Sequence, residues 1–149
     1  MQVLRYAQNG KLEKQRQKQM QINDAATVAE LRELYPLYET ALVENDVETL
    51  TAMFWASSLA VRLGVGENLW GVDEIEAFRK SRPAVGLARR VVRLEIVTFG
   101  TDYGSVVLEF ERDGAAGLVR GRQSQVWVRL EAGWRIVSAH VSVLPVAKP

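Results

Sequence analysis

The chain of 149 residues predicts an α+β domain in which N-terminal helices pack inside a curved antiparallel sheet. Three observations point there. Between residues 28 and 54 apolar side chains recur every three or four positions, which is the helical period. From residue 89 onward they alternate instead, in four long stretches rich in Val and aromatic residues. Gly-containing turns separate those stretches, so consecutive strands return antiparallel.

The elements follow in order. Asp24 or Thr27 can cap a first helix whose buried stripe is Val28, Leu31, Leu34, Tyr35, Tyr38, Ala41 and Leu42. Pro36 lies inside it, and a kink or late start is expected there. Asn45-Asp46 breaks the pattern, and Asp46 caps a shorter helix carrying Val47, Leu50, Met53 and Phe54. Residues 59–65 read as a strand, followed by turn material around Gly64, Gly66 and Gly71. Asp73 is expected to cap a third helix, DEIEAFRKSR, with Ile75, Ala77 and Phe78 inward and Pro83 ending it. The four strands are RRVVRLEIVTFG, TDYGSVVLEFERDG, GLVRGRQSQVWVRLEAG and GWRIVSAHVSVL. A long sheet curled around helices makes a cone with an open mouth, the usual place for a small-molecule pocket.

Composition narrows the chemistry. No Cys is present, so disulfides, thiol nucleophiles and Cys-based metal sites are excluded. No apolar run approaches the ~20 residues of a membrane span, and the N-terminus lacks a signal-peptide core. A cytoplasmic location is the expectation. Residues 1–19 carry five basic residues against Glu13 alone, while the remainder is net acidic. That head, KLEKQRQKQ included, has no interleaved aromatics and no broad apolar face, so it is read as an extension before a domain spanning 20–149, not as a nucleic-acid or membrane site.

Three strings then combine in order: YETALVENDVETLTAMFW, VRLGVGENLWGVDEIEAFRKSRP and GRQSQVWVRLEAGWRIVSAHVS. Together they resemble the AtzH-like family, which takes in the oxalurate-catabolism protein HpxZ, over residues 35–143. The resemblance implies the cone-shaped, nuclear-transport-factor-like (SnoaL-like) fold, a homodimer, and handling of small carboxylated ureas. The implied activity is metal-independent, decarboxylating amidohydrolysis of a dicarboxyurea towards allophanate. A shorter echo, ENLW with VW and a terminal H-x-S, is similar to the association domain of calcium/calmodulin-dependent kinase.

A carboxylated urea is planar and doubly anionic, so its site needs a forked cation, a proton donor or acceptor, and amides that read the urea edge. Arg62 is the cation candidate, because an Arg in the otherwise apolar LAVRLG must be paired or face a wet cavity. A place on the solvent face of an alternating strand, or pairing with Glu67, is the competing reading. Tyr38, on the helical stripe, is the catalytic hydroxyl candidate, supported by the family resemblance; Tyr35 competes one turn earlier. Gln123 and Gln125 alternate onto one strand face with Trp127 and could pair with both sides of a urea, or form an amide ladder on an exposed face. His140, the lone His, shares its predicted face with Trp134, Ile136, Ser138 and Ser142. Asn68 and Trp55 are rim or wall candidates, with packing as the alternative. No metal-ligand spacing, G-x-S-x-G or complete phosphate loop is present, so neither a metal nor another cofactor is expected.

Three functions remain open at this stage: an enzyme using Tyr38 and Arg62, a dimeric accessory module serving a neighbouring amidase, or a ligand-binding protein. The homodimer is expected through a Val-rich outer face of the last strand, made of Val137, Ala139, Val141 and Val143.

Overall fold

Asp24 opens the first helix: its carboxylate accepts from the Thr27 amide at 3.1 Å and from the Thr27 hydroxyl at 2.7 Å, so Asp24 and not Thr27 is the cap. The computed structural model describes residues 8–12 and 20–145, so most of the basic head lies outside the described residues. Helix α1 (Ala25–Glu44) runs through Pro36 without a break. Pro36 lies on the exposed face, where the carbonyl it leaves unbonded can turn to water. The opposite face buries Thr27, Leu31, Tyr35, Tyr38, Ala41 and Leu42. Asn45 ends the helix in the left-handed conformation (φ 50°), which Asn tolerates well, and Asp46 then caps α2 (Val47–Met53) through Thr49.

Two short strands follow, β1 (Val61–Leu63) and β2 (Asn68–Trp70), paired antiparallel. The predicted turn around Asn68 is therefore partly strand. Helix α3 (Val72–Ser81) is capped by Gly71 (φ 95°), two residues before the predicted cap Asp73. Asp73 and Glu74 instead sit in its first turn, where the helix dipole favours acids. Its buried residues are Ile75 and Arg79, while Ala77 is exposed. Ala77 is two residues on from Ile75, about 200° round the helix, whereas Arg79 is four on and returns to the same side.

The predicted meander is present as β3 (Arg90–Phe99), β4 (Tyr103–Gly114), β5 (Gly117–Leu130) and β6 (Gly133–Val143). All six strands join in one sheet ordered β2-β1-β6-β5-β4-β3, with β1 parallel to β6. The helices fill its concave side: Leu31, Tyr38 and Leu50 share one core with Val106, Leu108, Trp127 and Ile136. Both ends are tied down. Trp134 Nε1 and Arg129 Nη2 reach Glu30 on α1 at 2.6 and 2.7 Å, and Asn23 exchanges hydrogen bonds with Thr98 at the β3 edge.

One irregularity changes which residues face inward. Trp127 pairs with Ile136 but the next residue back, Val126, pairs with Ser138, so β6 holds Val137 as an extra residue. Such a bulge shifts the side-chain alternation by one. Before it Trp134 and Ile136 are buried; after it Ala139 is buried while Val141 and Val143 turn to the concave side. His140, Ser138 and Ser142 go to the outer face. This corrects two expectations: His140 does not share a face with Trp134 and Ile136, and the outer face of β6 is not the Val-rich set. The outer rows are mixed, with Glu95, Val107, Ser124 and His140 in one and Val97, Ser105, Val126 and Ser138 in the next.

Gly121 shows how closely the inner face is packed. A Cβ there would lie 2.0 Å from Phe110 Cζ on the paired strand. Gly121→Ala should therefore destabilise the domain by about 1–3 kcal/mol in urea unfolding, and Phe110→Leu in the same chain should recover part of the loss.

Candidate functional site

Between α1, α3, the segment 82–89 and the inner face of the sheet lies a cavity of about 300 Å3. Its apolar wall is Leu42, Phe78, Phe110, Val141 and Val143. Its polar wall is four arginines, Arg62, Arg82, Arg89 and Arg112, with Gln123 and the single acid Glu67. Strand alternation places two of these residues. Arg62 points inward between half-buried Val61 and Leu63, and Gln123 points inward between exposed Arg122 and Ser124.

Arg62 is both paired and turned to the cavity. It is 5% exposed, donates to Glu67 Oε1 at 2.9 Å, and still lines the cavity, with its guanidinium carbon 5.5 Å from the Phe78 ring centroid. Pairing removes part of the cost of burying the charge, and the guanidinium keeps donors beyond the one used.

A second, tighter network surrounds Arg89. This residue grips Glu39 with two bonds of 2.7 and 2.8 Å, donates to Gln123 Oε1 at 2.9 Å, and stacks 4.4 Å above the Phe110 centroid. Tyr35 completes the ring, donating its hydroxyl to Glu39 Oε2 at 2.6 Å and accepting from Gln123 Nε2 at 3.2 Å. Burial pushes the Tyr35 phenol up, and the Glu39 charge pushes it further, so it stays protonated at all working pH values. Burial also raises the Glu39 carboxyl, but the bonds and charge of Arg89 outweigh it and hold that group below the ordinary value. Arg89 is raised in turn, because Glu39 more than offsets the effect of its burial. Gln123 thus has its amide orientation set from both ends.

Tyr38 lies apart from the cavity wall. It is fully enclosed, one helical turn before Leu42, and its oxygen accepts from Arg79 Nη2 at 2.9 Å. Since that oxygen accepts from Arg79, its own hydrogen remains available to donate. Burial raises its pKa, but the charges of Arg79, Arg62 and Arg89 together bring it below the ordinary phenol value. Arg79 is 0% exposed and has no ion pair among the described residues; its Nε and Nη1 have no hydrogen-bond partner there. The rings of Tyr38 and Phe54 cover it at 5.7 and 5.6 Å.

The remaining predicted residues lie elsewhere. Gln125 is buried in the core, where its carbonyl accepts from Trp127 Nε1 at 2.9 Å, and it is not in the cavity wall. His140 is exposed on the outer face, across from Ser124. Asn68 is exposed on edge strand β2, and its neighbour Glu67 lines the cavity in its place. Trp55 packs against the core, its amide donating to the Ile136 carbonyl at 2.9 Å. Sequence reasoning missed Glu39, Arg79, Arg82, Arg89 and Arg112. Arg79 stands four residues after Ile75, on the helix's inward stripe, and that spacing was a usable signal, whereas Arg82 lies just past the helix end in extended backbone. Arg89 precedes β3 and carries no periodic signal. Among the described residues, no cluster of three or more acidic or His side chains could hold a metal ion.

Two stability predictions follow from these networks. The folded chain binds the Glu39 proton more weakly than the unfolded chain does. That stabilisation is complete above the ordinary Glu range and lost as pH falls through the lowered value. Wild-type unfolding free energy should therefore decline between about pH 5 and pH 3 more steeply than that of Glu39→Gln, in urea titrations at each pH. Removing the Tyr38 hydroxyl leaves the buried Arg79 guanidinium with no hydrogen-bond partner among the described residues. Tyr38→Phe should destabilise by about 1–3 kcal/mol, and adding Arg79→Met should restore stability, because the lone buried charge is then gone.

Comparison with known proteins places this geometry. The AtzH-like family profile matches residues 20–147. A protein of unknown function from the DUF3225 family of Pectobacterium atrosepticum SCRI1043 is 43% identical, with 83% of this chain and 95% of that chain covered and a TM-score of 0.79. A cystatin-like fold protein from Burkholderia xenovorans LB400 is 39% identical, with 86% and 99% covered and a TM-score of 0.79. A ketosteroid isomerase-like protein from Erwinia carotovora atroseptica SCRI1043 shares the fold at 17% identity, TM-score 0.70, with 83% and 100% covered. Among curated proteins, none matches. With a cone-shaped, nuclear-transport-factor-like fold and a family profile spanning nearly all of the domain, this chain belongs to the AtzH-like family.

Proposed function

We propose that the cavity binds a small carboxylated urea, of the dicarboxyurea or oxalurate type, and that one carrying its carboxylate on nitrogen, a dicarboxyurea, loses carbon dioxide there without a metal. The observation that carries this reading is the wall itself: four arginines line about 300 Å3 of space, and only Arg62 and Arg89 have a carboxylate partner among the described residues. Surplus positive charge in a partly enclosed, low-dielectric site favours a multiply charged anion over a neutral ligand. A planar carboxylate also matches the fork of Arg62, and Gln123 Oε1 keeps a lone pair for a urea N–H.

In this reading Arg62 receives one carboxylate and Gln123 orients the urea edge. The bond between nitrogen and the carboxyl carbon breaks, its electron pair stays on nitrogen, and carbon dioxide departs. Tyr38, enclosed behind the cavity wall, must be uncovered to give nitrogen its proton; its phenolate is then stabilised by Arg79 until water returns the proton. Positioning and one acid suffice for this step. The domain is proposed to act as a homodimer through the outer sheet face, where Val97, Val107 and Val126 lie among Ser105, Ser124 and Ser138.

A second reading is favoured by one observation: Tyr38 is outside the cavity wall, and no other side chain in that wall is an obvious acid at neutral pH. The same cleft would then bind its anion without turnover, as an accessory to a neighbouring amidase. Purified protein assayed with a carboxylated urea separates the two. Arg62→Lys keeps the charge but loses the fork, so kcat/KM should fall at least ~10-fold. Binding by the wild type with no carbon dioxide release would establish the second reading.

A further inference from the structure

The charges around the cavity do not balance evenly. Arg62 is matched by Glu67 at 2.9 Å and Arg89 by Glu39 at 2.7 Å. Arg82 also lines the cavity, yet it has no carboxylate partner among the described residues. Its Nη2 is buried there without a hydrogen-bond partner. A cationic donor held out of water is costly unless something meets it.

Arg82 is nevertheless held in place. Asn45, the residue that ends α1, accepts from Arg82 Nε at 3.2 Å and donates to the Arg79 carbonyl at 3.1 Å. One amide therefore joins the end of α1 to the end of α3 and aims the guanidinium. Arg82 and Arg62 also share a ring, with guanidinium carbons 5.8 and 5.5 Å from the Phe78 centroid. Two cations against one aromatic surface repel each other until an anion joins them. Burial first, then the Arg79 and Arg62 charges, push Arg82 down to about 10, and Glu67 with Tyr38 offsets only part of this.

We propose that Arg82, positioned by Asn45, is a specificity-determining residue that receives the second carboxylate of the ligand, so that the cavity selects dianions over monoanions of the same length. This rests on the reading of the cavity as a carboxylate site, and not on whether the ligand is turned over. Arg62 takes one carboxylate, and the Arg82 guanidinium, whose Nε–H is held by Asn45, keeps further donors for the other. A monoanion leaves Arg82 as it stands, so it gains nothing from this residue.

Glutarate and butyrate provide the test, because both carry a three-carbon chain and glutarate spaces its carboxylates by three atoms, as a dicarboxylated urea does. Calorimetric titration of the wild type should give glutarate at least ~10-fold tighter than butyrate, and Arg82→Gln should remove most of that difference by weakening glutarate far more than butyrate. Arg82→Lys keeps the charge without the fork and should lose at least ~3-fold in glutarate affinity, which provides the measurement if Arg82→Gln does not fold. Wild-type glutarate affinity in a folded Arg82→Gln or Arg82→Lys protein overturns the role of Arg82 alone. Equal wild-type affinity for the two anions overturns dianion selection but keeps a carboxylate site. Binding of neither anion overturns the carboxylate reading of the cavity, and this inference with it.

Discussion

Arginine is the side chain least suited to a protein interior, because its charge cannot be removed by deprotonation at working pH. This domain nevertheless brings Arg62, Arg79, Arg82 and Arg89 into one cone, with Glu39 and Glu67 as the acids paired to them. Most of the interior can be understood as the means of tolerating that crowd. Phe78, Phe110, Phe54 and Tyr38 offer ring faces to the guanidiniums, and Asn45, Gln123 and Tyr35 supply neutral hydrogen-bond partners. Where these run out, bonds stay unmade at Arg79 and Arg82. A fold built for stability alone would place Met or Leu there.

The geometry of that crowd depends on the sheet. Phe110 and Gly121 are paired across β4 and β5, and the missing side chain at Gly121 makes the space for the ring on which Arg89 rests. The extra residue in β6 does the same at the other wall, turning Val141 and Val143 into the cavity and His140 away from it. Without the bulge, His140 and Ser142 would face the arginines. The valines keep that wall apolar and leave the guanidiniums to meet a ligand's charge.

The fold does not decide the chemistry. A ketosteroid isomerase-like protein shares it at 17% identity, and at that distance the likeness concerns the scaffold. The chemistry rests on the cation-rich wall and the enclosed Tyr38–Arg79 pair behind it. Tyr38 oxygen already accepts from Arg79, so a bound ligand near it would meet a donor.

The sequence by itself determined the features that arise within a few residues. Helical spacing located α1 and its buried stripe, Asp24 and Asp46 marked two helix starts, and alternation placed Gln123 and Arg122 on opposite faces of β5. Arg62 stood out because a charge inside an apolar strand needs a reason. All of these depend on neighbours one or two turns away, whose contacts the local period dictates. Tertiary structure decided the rest. Glu39 and Arg89 are 50 residues apart, and only the closing of the cone brings them within 2.7 Å. Val137 resembles any other strand residue, since a bulge is set by how two strands fit across a curved sheet and not by the residue that bulges. Gln123 and Gln125 are equivalent in pattern, yet curvature puts one in the cavity wall and the other against Trp127. Local chemistry chose the faces; the curl of the sheet chose which residues on those faces meet the ligand.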